Sequence, residues 1–264
     1  MTSRHHRDSF DGRAAQYTAE RVAPFNAANR LAPGARATER DLLLDRLRLV
    51  PGVRVCDAVA GGGFLSEGIH DRLDGDCHII AVENSESFAA TIDPRFHPVV
   101  SSLCALDLDD ASVDRVACLA GLHHQEDKLA FFREAHRILR PGGIIAVADG
   151  RKDSPPARFL NGPVDRFTEI GHDGMFPADG DLTALLREAG FAAIEENHEE
   201  YCWPFPDEAT MVSYCRDLFR MHEGSLAEVE RAIRDVLGVV PLADGRVGMP
   251  WGLLYASATR PERG

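Results

Sequence analysis

Three consecutive glycines, Gly61 to Gly63, constrain this chain more than any other feature of its sequence. A short β-branched run, Val53 to Ala58, precedes them, and an apolar segment of helical character begins at Phe64. This order predicts a buried strand, a tight turn and the N-terminus of a helix. Because glycine has no Cβ, backbone N–H groups in such a turn can approach a bound ligand closely. The stretch therefore predicts a ligand-binding loop.

Strand and helix patterns alternate after this loop. The expected strands are Val53–Ala58, Cys77–Val82, a strand beginning at Pro98, Val113–Leu119, Ile144–Ala148, Ala192–Asn197 and Trp251–Ala258. The alternation predicts right-handed crossovers and a parallel sheet that is covered by helices on both faces. The run from Ile79 to Val82 is apolar on both sides of the pleat, as a doubly covered sheet requires. We therefore expect an α/β fold.

Composition excludes several classes of protein. The net charge is −13, and the basic residues do not form a patch, which disfavours nucleic-acid partners. No apolar run reaches the roughly 18–20 residues of a membrane span, and the N-terminus lacks a secretory apolar region. The six cysteines show no Cys-x-x-Cys spacing, so we expect reduced thiols. These features together favour a cytoplasmic protein without membrane or nucleic-acid partners.

Changes in regularity divide the chain into segments. Residues 1–37 are polar and irregular, with Phe10, Tyr17 and Phe25 as scattered anchors, and we expect an N-terminal lid there. Residues 38–264 form the main domain. Within it, residues 151–180 and 201–240 depart from the alternating pattern, and we expect lid or cap insertions.

An acidic residue strengthens the interpretation of the glycine loop. Glu83 lies twenty residues beyond Gly63, at the predicted end of the second strand, where a carboxylate can accept hydrogen bonds from both hydroxyls of a ribose. The alternative is a charge at a helix N-terminus. A nicotinamide dinucleotide is the first candidate ligand, but Ser66 replaces the third glycine of that pattern. Asp57, four residues before the first glycine, also fits another family better.

Several segments resemble class I S-adenosylmethionine-dependent methyltransferases. The stretch Asp57–Gly63 is similar to their Asp-x-Gly-x-Gly-x-Gly loop, and Ala81–Ser85 resembles their second-strand motif. The pair of segments Asp110–Asp114 and Leu122–His124 resembles their Asp-x-Ser-Phe-Asp and Leu-His-His motifs. Arg133–Gly143 is similar to the helix and turn before their fifth strand. The resemblance implies a Rossmann-like, doubly wound fold with a mostly parallel seven-stranded sheet, a last antiparallel strand and a small helical cap.

By this resemblance, S-adenosylmethionine is the expected cofactor. Gly61 and Gly63 would face its methionine portion, and Glu83 would face its ribose. Asp57 belongs to the same loop and is counted with the cofactor-binding residues. The segment Phe10–Tyr17 resembles the N-terminal part of the small-molecule branch of the family, so that Tyr17 would close over the methionine end.

The resemblance assigns the rest of the cofactor site to the next two strands. Asn84 and Ser85 would border the adenosine, and Ser102 and Leu103 would lie beside the adenine ring. Ala120 would lie beside the sulfonium through backbone contacts.

Two positions depart from the family pattern. Val59 stands at the first glycine of the loop, and Ser102 stands where an aspartate usually accepts a hydrogen bond from the adenine amino group. A neutral hydrogen bond contributes only about 0.5–1.5 kcal/mol, so neither change need abolish binding. Both departures also fit a repurposed member of the family that catalyses a cyclisation or rearrangement.

Two neighbouring histidines are the candidates for acid–base chemistry. His123 and His124 follow the fourth strand, and imidazole titrates near neutrality, so His124 is a candidate general base. The alternative is a structural histidine pair. The sequence contains no His-Glu-x-x-His motif and no clustered thiols, so no metal is expected.

The leading hypothesis is methyl transfer from S-adenosylmethionine to an O, N or C nucleophile of a small molecule. A repurposed enzyme for cyclisation or rearrangement is the second hypothesis, and a non-catalytic binding scaffold is the third. A nicotinamide-dependent oxidoreductase comes last. The sequence does not predict an oligomeric state.

Overall fold

The structure, a computed structural model, describes residues 19–262, so Tyr17 and the segment Phe10–Tyr17 lie outside the described residues. The strands are β1 Val53–Ala58, β2 Cys77–Glu83, β3 Val99–Val100, β4 Val113–Leu119, β5 Leu139–Asp149, β6 Ala192–Phe205, β7 Val240–Pro241 and β8 Val247–Thr259. The α-helices are α1 Ala19–Leu31, α2 Ala37–Leu47, α3 Phe64–Arg72, α4 Glu86–Ala89, α5 Lys128–Ile138, α6 Pro155–Phe159, α7 Asp165–Phe167, α8 Asp181–Glu188, α9 Glu208–Leu218 and α10 Leu226–Val236.

The sheet confirms the predicted fold class. Its strands lie in the order β3-β2-β1-β4-β5-β8-β6, and β1 to β5 are parallel to one another. The last strand, β8, runs antiparallel to both β5 and β6. The short strand β7 pairs with β8 and was not expected from the sequence. The order reverses between β1 and β4, where open α/β sheets bind their ligands.

Both faces of the sheet are buried, as the apolar run in β2 predicted. Ile79 and Ala81 belong to the core on one face, which also contains side chains of α2, α3 and the helices after β5. Ile80 and Val82 belong to the core on the other face, under α5 and α8. This alternation along one strand is what a sheet between two helical layers requires.

The N-terminal segment differs from the expectation of an irregular lid. Its described part forms helix α1, although Pro24 lies inside that helix and its apolar residues follow no clear helical pattern. The helix packs against α9, which belongs to the predicted cap. Tertiary packing therefore stabilises a helix that its local sequence does not indicate. The division of the chain into lid, main domain and cap stays a prediction.

The outer pair of strands is longer than expected. β6 continues past Asn197 to Phe205, and its pairing with β8 extends to Phe205 opposite Val247. Several glutamates interrupt the apolar pattern of β6. They are tolerated because β6 is the edge strand, with one side open to solvent.

The described residues bear on the expectations about membrane spans and cysteines. None of the helices between residues 19 and 262 is long and apolar enough to cross a bilayer. All six cysteines lie in this range and are free thiols.

Candidate functional site

The residues of the candidate site come from the carboxyl ends of neighbouring parallel strands. Asp57 lies near the end of β1, and Glu83 is the last residue of β2. Ala120 follows β4, and Asp149 ends β5. Because parallel strands end at one edge of a sheet, these side chains surround a common crevice.

The glycine loop has the backbone conformation that its sequence predicts. Gly61 and Gly63 have φ values of 55° and 87°, in the left-handed region that glycine adopts freely. Val59 also has a positive φ, 65°, which is rare for a β-branched residue. The N–H of Ala60 donates to the carbonyl of Val82, which ties the loop to β2.

Glu83 holds the loop from the neighbouring strand. One of its carboxylate oxygens accepts a hydrogen bond from the Gly61 N–H at 2.9 Å, and the other accepts from the Ser85 N–H at 3.0 Å. The side chain is buried. Each carboxylate oxygen has a second lone pair, so Glu83 can accept further hydrogen bonds from a ligand.

Asp57 lies beneath the loop in a dry environment. It is buried, and the Ser66 hydroxyl donates to it at 2.6 Å. Burial raises the pKa of the Asp57 carboxyl to about 7, although the hydrogen bonds from Ser66 oppose this shift. The nearby negative charge of Glu83 raises the same pKa further.

A cavity lies over the loop and is called the glycine-loop cavity below. It is lined by Phe25, Arg36, Asp57, Val59, Ala60, Gly61, Phe64, Leu65, Glu83, Phe88, Leu119, Ala120, Gly121 and His124. The structure thus brings together four of the predicted cofactor-binding residues, Asp57, Gly61, Glu83 and Ala120.

Helix α1 covers this cavity through Phe25. A Cβ atom placed on Gly61 would lie 3.8 Å from the Phe25 ring, and the ring packs edge-on against Phe88. In the sequence, Phe25 stands out only as a scattered anchor. No local signal indicates its position over the loop, because the contact depends on how α1 docks.

Five predicted residues do not line the cavity. Gly63 precedes α3, and Ser85 caps α4 by accepting a hydrogen bond from Phe88 N–H. Leu103 is buried in the core, and the Ser102 hydroxyl accepts from Cys104 N–H at 3.2 Å. Asn84 is the fifth; its role and the roles of the other four stay predictions.

The Asn84 side chain has an unusual environment. Both its amide oxygen and its amide nitrogen are buried, and neither has a hydrogen-bond partner among the described residues. A buried amide without partners costs about 1–3 kcal/mol. The amide therefore indicates that a polar ligand or water completes this place in the structure.

A second cavity adjoins the first and is called the aromatic cavity below. It is lined by Phe25, Arg36, Glu39, Ala120, His123, His124, Asp149, Gly150, Leu160, Val164, Thr168, Glu169, Ile170, Gly171, His172, Trp203, Leu218, Phe219, Arg220, Trp251 and Leu253. The two cavities share Phe25, Arg36, Ala120 and His124.

Three nearly parallel rings form a wall of the aromatic cavity. The rings of Trp203 and Trp251 are stacked with their centroids 4.4 Å apart, and Phe219 lies 6.0 Å from Trp251 with an interplanar angle of 22°. Both tryptophans are almost completely buried. Such a wall suits a flat apolar ligand.

An ion pair between Arg36 and Glu39 was missed by sequence analysis. Arg36 Nε donates to Glu39 at 2.9 Å, and Trp203 Nε1 donates to the other carboxylate oxygen at 3.2 Å. The Arg36 guanidinium also lies 5.2 Å from the centre of the Phe64 ring. These partners compensate for the burial of Glu39 and fix Arg36 at the boundary between the two cavities.

The histidine pair lies where the two cavities meet. His124 lines both cavities, as its predicted role requires, whereas His123 is buried and lines only the aromatic cavity. His123 Nδ1 is 2.7 Å from Asp149 Oδ1, and its backbone N–H donates to Asp149 Oδ2. Asp149 was not predicted, because no motif marks it.

Comparison with known proteins agrees with this geometry. The family model described as "Methyltransferase domain" matches residues 56–147. The chain is 31% identical over 160 residues to the 27-O-demethylrifamycin SV methyltransferase of Amycolatopsis mediterranei. This match covers 57% of this chain and 58% of that protein. It is 30% identical over 160 residues to the O-methyltransferase rstn1 of Aspergillus nomiae. This match covers 57% of this chain and 69% of that protein.

A solved structure supports the fold independently. Phosphoethanolamine N-methyltransferase 2 of Haemonchus contortus, in complex with S-adenosyl-L-methionine, superposes with a TM-score of 0.66 at 16% identity. The superposition covers 97% of this chain and 61% of that one. The sequence matches to these two curated relatives span 58% and 69% of the relatives' length. The family-model match includes the glycine loop and the histidine pair. The chain belongs to the class I S-adenosylmethionine-dependent methyltransferase family.

Proposed function

We propose that this protein transfers a methyl group from S-adenosylmethionine to a nucleophile, preferably a hydroxyl oxygen, of a small planar molecule. The observation that carries the proposal is the pair of adjoining cavities. One contains the glycine loop and Glu83, the other contains the aromatic wall, and His124 and Ala120 line both. A methyl donor and an acceptor in these two places would meet at the shared boundary.

The residues of the glycine-loop cavity fit this cofactor. Glu83 retains acceptor capacity for the ribose hydroxyls, and the glycine loop offers close backbone approach. Asn84 follows Glu83 and does not line this cavity, but its buried amide has donors and an acceptor without a partner among the described residues, which agrees with a place beside the adenosine. The carboxylate of Glu83 in this cavity also favours a positively charged ligand.

When bound, S-adenosylmethionine supplies an electrophilic methyl group on a positively charged sulfur. The protein's contribution is mainly to hold two reactants in line, which can replace much of the entropic cost of their encounter. Phe25 and Phe64 exclude water from the glycine-loop cavity, while Trp203 and Trp251 orient a flat acceptor. Arg36 is fixed between the two places by Glu39.

The acceptor must lose a proton if its nucleophile is a hydroxyl. Three histidines, His123, His124 and His172, line the aromatic cavity at that point. This cluster is placed to assist the loss of that proton, and His124 is the member that lines both cavities. The relatives named as O-methyltransferases support oxygen as the acceptor atom.

The proposal is tested in two steps. Calorimetry with S-adenosylhomocysteine should show one site of micromolar affinity on the folded protein. Incubation with methyl-labelled S-adenosylmethionine and a panel of phenols, enols and aromatic amines should then transfer the label. Absence of S-adenosylhomocysteine binding by folded protein would overturn the proposal. If the label is still transferred when the aromatic cavity is blocked, that cavity is not the acceptor site.

The strained backbone at Val59 favours the second hypothesis, a repurposed enzyme that rearranges its substrate. Val59 has a positive φ, and its branched side chain lines the glycine-loop cavity where the family pattern has a glycine, so it takes up space beside the proposed cofactor. Methyl transfer releases one S-adenosylhomocysteine for each product, whereas a cyclisation releases none. Product analysis alongside measurement of S-adenosylhomocysteine separates the two. A non-catalytic scaffold would form neither product, and a nicotinamide enzyme would bind the dinucleotide instead.

The remaining expectations on partners are part of this proposal. A small-molecule acceptor agrees with the aromatic residues that line the aromatic cavity. We further propose a cytoplasmic location and no nucleic-acid partner, on the strength of the net charge of −13 and the dispersed basic residues.

A further inference from the structure

Three imidazoles from two separate segments meet in the aromatic cavity. His123 and His124 follow β4, whereas His172 lies in the irregular segment between α7 and α8. The ring centroids are 4.0 Å apart for His123 and His124, 5.3 Å for His123 and His172, and 5.0 Å for His124 and His172. One ring nitrogen from each residue lies within 4.8 Å of the other two. The cluster has the composition of a metal ligand set.

The tautomer of His123 is fixed by Asp149. Asp149 Oδ1 lies 2.7 Å from His123 Nδ1 and also accepts from Gly150 N–H, so this oxygen acts as an acceptor. His123 Nδ1 therefore carries a proton and donates it, which leaves the Nε2 atom of the neutral ring with its lone pair.

The tautomer of His172 is fixed in the same way by Asn161. Asn161 Nδ2 donates to the Gly174 carbonyl at 2.8 Å, and Asn161 Oδ1 accepts from Gly174 N–H at 2.7 Å, which together set the orientation of the amide. His172 Nδ1, 2.9 Å from the same oxygen, must then be a donor. The Nε2 atom of a neutral His172 therefore also carries a lone pair.

This arrangement is typical of histidines that bind metals. Such histidines almost always donate their second ring N–H to a carboxylate or carbonyl oxygen, which fixes the ring and raises its basicity. Here a carboxylate and an amide oxygen serve His123 and His172.

We propose that His123, His124 and His172 bind one divalent transition metal ion, for which Zn²⁺ is the best match, with an open position toward the aromatic cavity. Three neutral imidazoles and one open position are the ligand set of a catalytic zinc site. At Zn–N distances of about 2.1 Å, tetrahedral ligand nitrogens lie about 3.4 Å apart. Binding therefore draws the ring nitrogens together by up to about 1.4 Å from their largest separation. His124 and His172 are only half-buried and can rotate to do so.

The consequence for catalysis rests on the proposed function. An acceptor hydroxyl bound at the open position loses its proton to solvent more readily, because the metal stabilises the oxygen anion. The oxygen electron pair then forms the bond to the methyl carbon, and the carbon–sulfur pair stays on sulfur. In this scheme His124 acts as a ligand and not as the general base that the sequence indicated.

The test uses the full chain, stripped of metal with a chelator and titrated with Zn²⁺ or Co²⁺. We expect one equivalent to bind, and Co²⁺ to give the intense visible absorption of four-coordinate nitrogen ligation. Asn161→Ala, which removes the outer partner of His172 together with two hydrogen bonds to the Gly174 backbone, should weaken binding about 10–100-fold. His172→Ala and His172→Gln should weaken it more, while binding of S-adenosylhomocysteine shows that each variant is folded.

The matched control is His136→Ala, in a half-buried histidine on α5 whose ring packs edge-on against Phe191 away from the cluster. It should bind metal like the unmodified protein. No saturable metal binding, or equal binding by the His136→Ala and His172→Ala variants, would overturn the metal site. If chelated protein methylates at the full rate, the catalytic consequence is wrong and the proposed methyltransferase function stands. If metal binds but S-adenosylhomocysteine does not, the proposed function fails and the metal site stands.

Discussion

His123 and Asp149 form a buried pair that joins the ends of β4 and β5. His123 Nδ1 lies 2.7 Å from Asp149 Oδ1. The backbone N–H of His123 donates to the other carboxylate oxygen, Asp149 Oδ2, also at 2.7 Å. Gly150 N–H donates to that carboxylate as well. Asp149 thus positions the histidine cluster at the aromatic cavity without lining the glycine-loop cavity.

Asp149→Asn should lower kcat about 10–100-fold, the usual cost of losing an outer partner, and leave the KM for S-adenosylmethionine unchanged. An asparagine has one acceptor oxygen, so one of the three donors would face an NH₂ group. Steady-state kinetics with both substrates separates kcat from KM. Asp110→Asn, in an exposed residue paired with Arg137, is the control and should change neither. An unchanged kcat in folded Asp149→Asn protein would contradict the positioning role.

Glu83→Gln should weaken binding of S-adenosylhomocysteine about 10–100-fold. The glutamine oxygen can serve either Gly61 N–H or Ser85 N–H but not both as Glu83 does, and hydrogen bonds to a charged group contribute about 1.5–3 kcal/mol. Calorimetry measures the affinity. Glu86→Gln, at an exposed residue three positions along, should bind normally. Equal affinity for both variants would show that Glu83 does not bind the cofactor.

Val59→Gly should tighten binding of S-adenosylhomocysteine several-fold and change the free energy of unfolding by less than about 1 kcal/mol. A left-handed backbone costs a non-glycine residue about 1–2 kcal/mol, and the greater freedom of unfolded glycine offsets roughly half of that gain. Val59→Ala keeps a Cβ at positive φ, so it should be less stable than Val59→Gly. Denaturant unfolding and calorimetry measure both quantities. Weaker binding by folded Val59→Gly protein would mean that the valine is adapted to its ligand.

The sequence predicted the parts of this molecule that depend on local patterns. The β-branched run, the glycines and Glu83 placed the loop at the carboxyl edge of the sheet, where the structure has it. The family motifs then identified the cofactor class. These features can be recognised in the sequence because strand, turn and helix follow one another within a few residues. Parallel strands then bring their carboxyl ends to the same edge of the sheet.

The rest of the site depends on docking between distant segments. His172 approaches His123 only because the segment after α7 folds back over the carboxyl edge. Phe25 reaches the glycine loop through α1, whose sequence shows no helical pattern. Glu39 belongs to a helix far from Trp203 in sequence. No periodicity or spacing encodes such contacts, so neither the approach of His172 to the histidine pair nor the position of Phe25 over the loop could be predicted.

Asp57 should make stability depend on pH in the acidic to neutral range. Its pKa is about 7 in the folded protein, because of burial and then the charge of Glu83, against about 3.9 in an unfolded chain. The folded state therefore holds this proton more tightly. The stabilisation is complete below about pH 4 and is lost as pH rises through about 7, an effect on the order of a few kcal/mol. Asp57→Asn cannot titrate, so this contribution to the slope of the unfolding free energy between about pH 4 and pH 7 should disappear. Asp45→Asn, at a surface residue paired with Arg72, should keep the slope of the unmodified protein. Denaturant titrations across that range provide the measurement, and an unchanged slope for Asp57→Asn would place the pKa of Asp57 near its ordinary value.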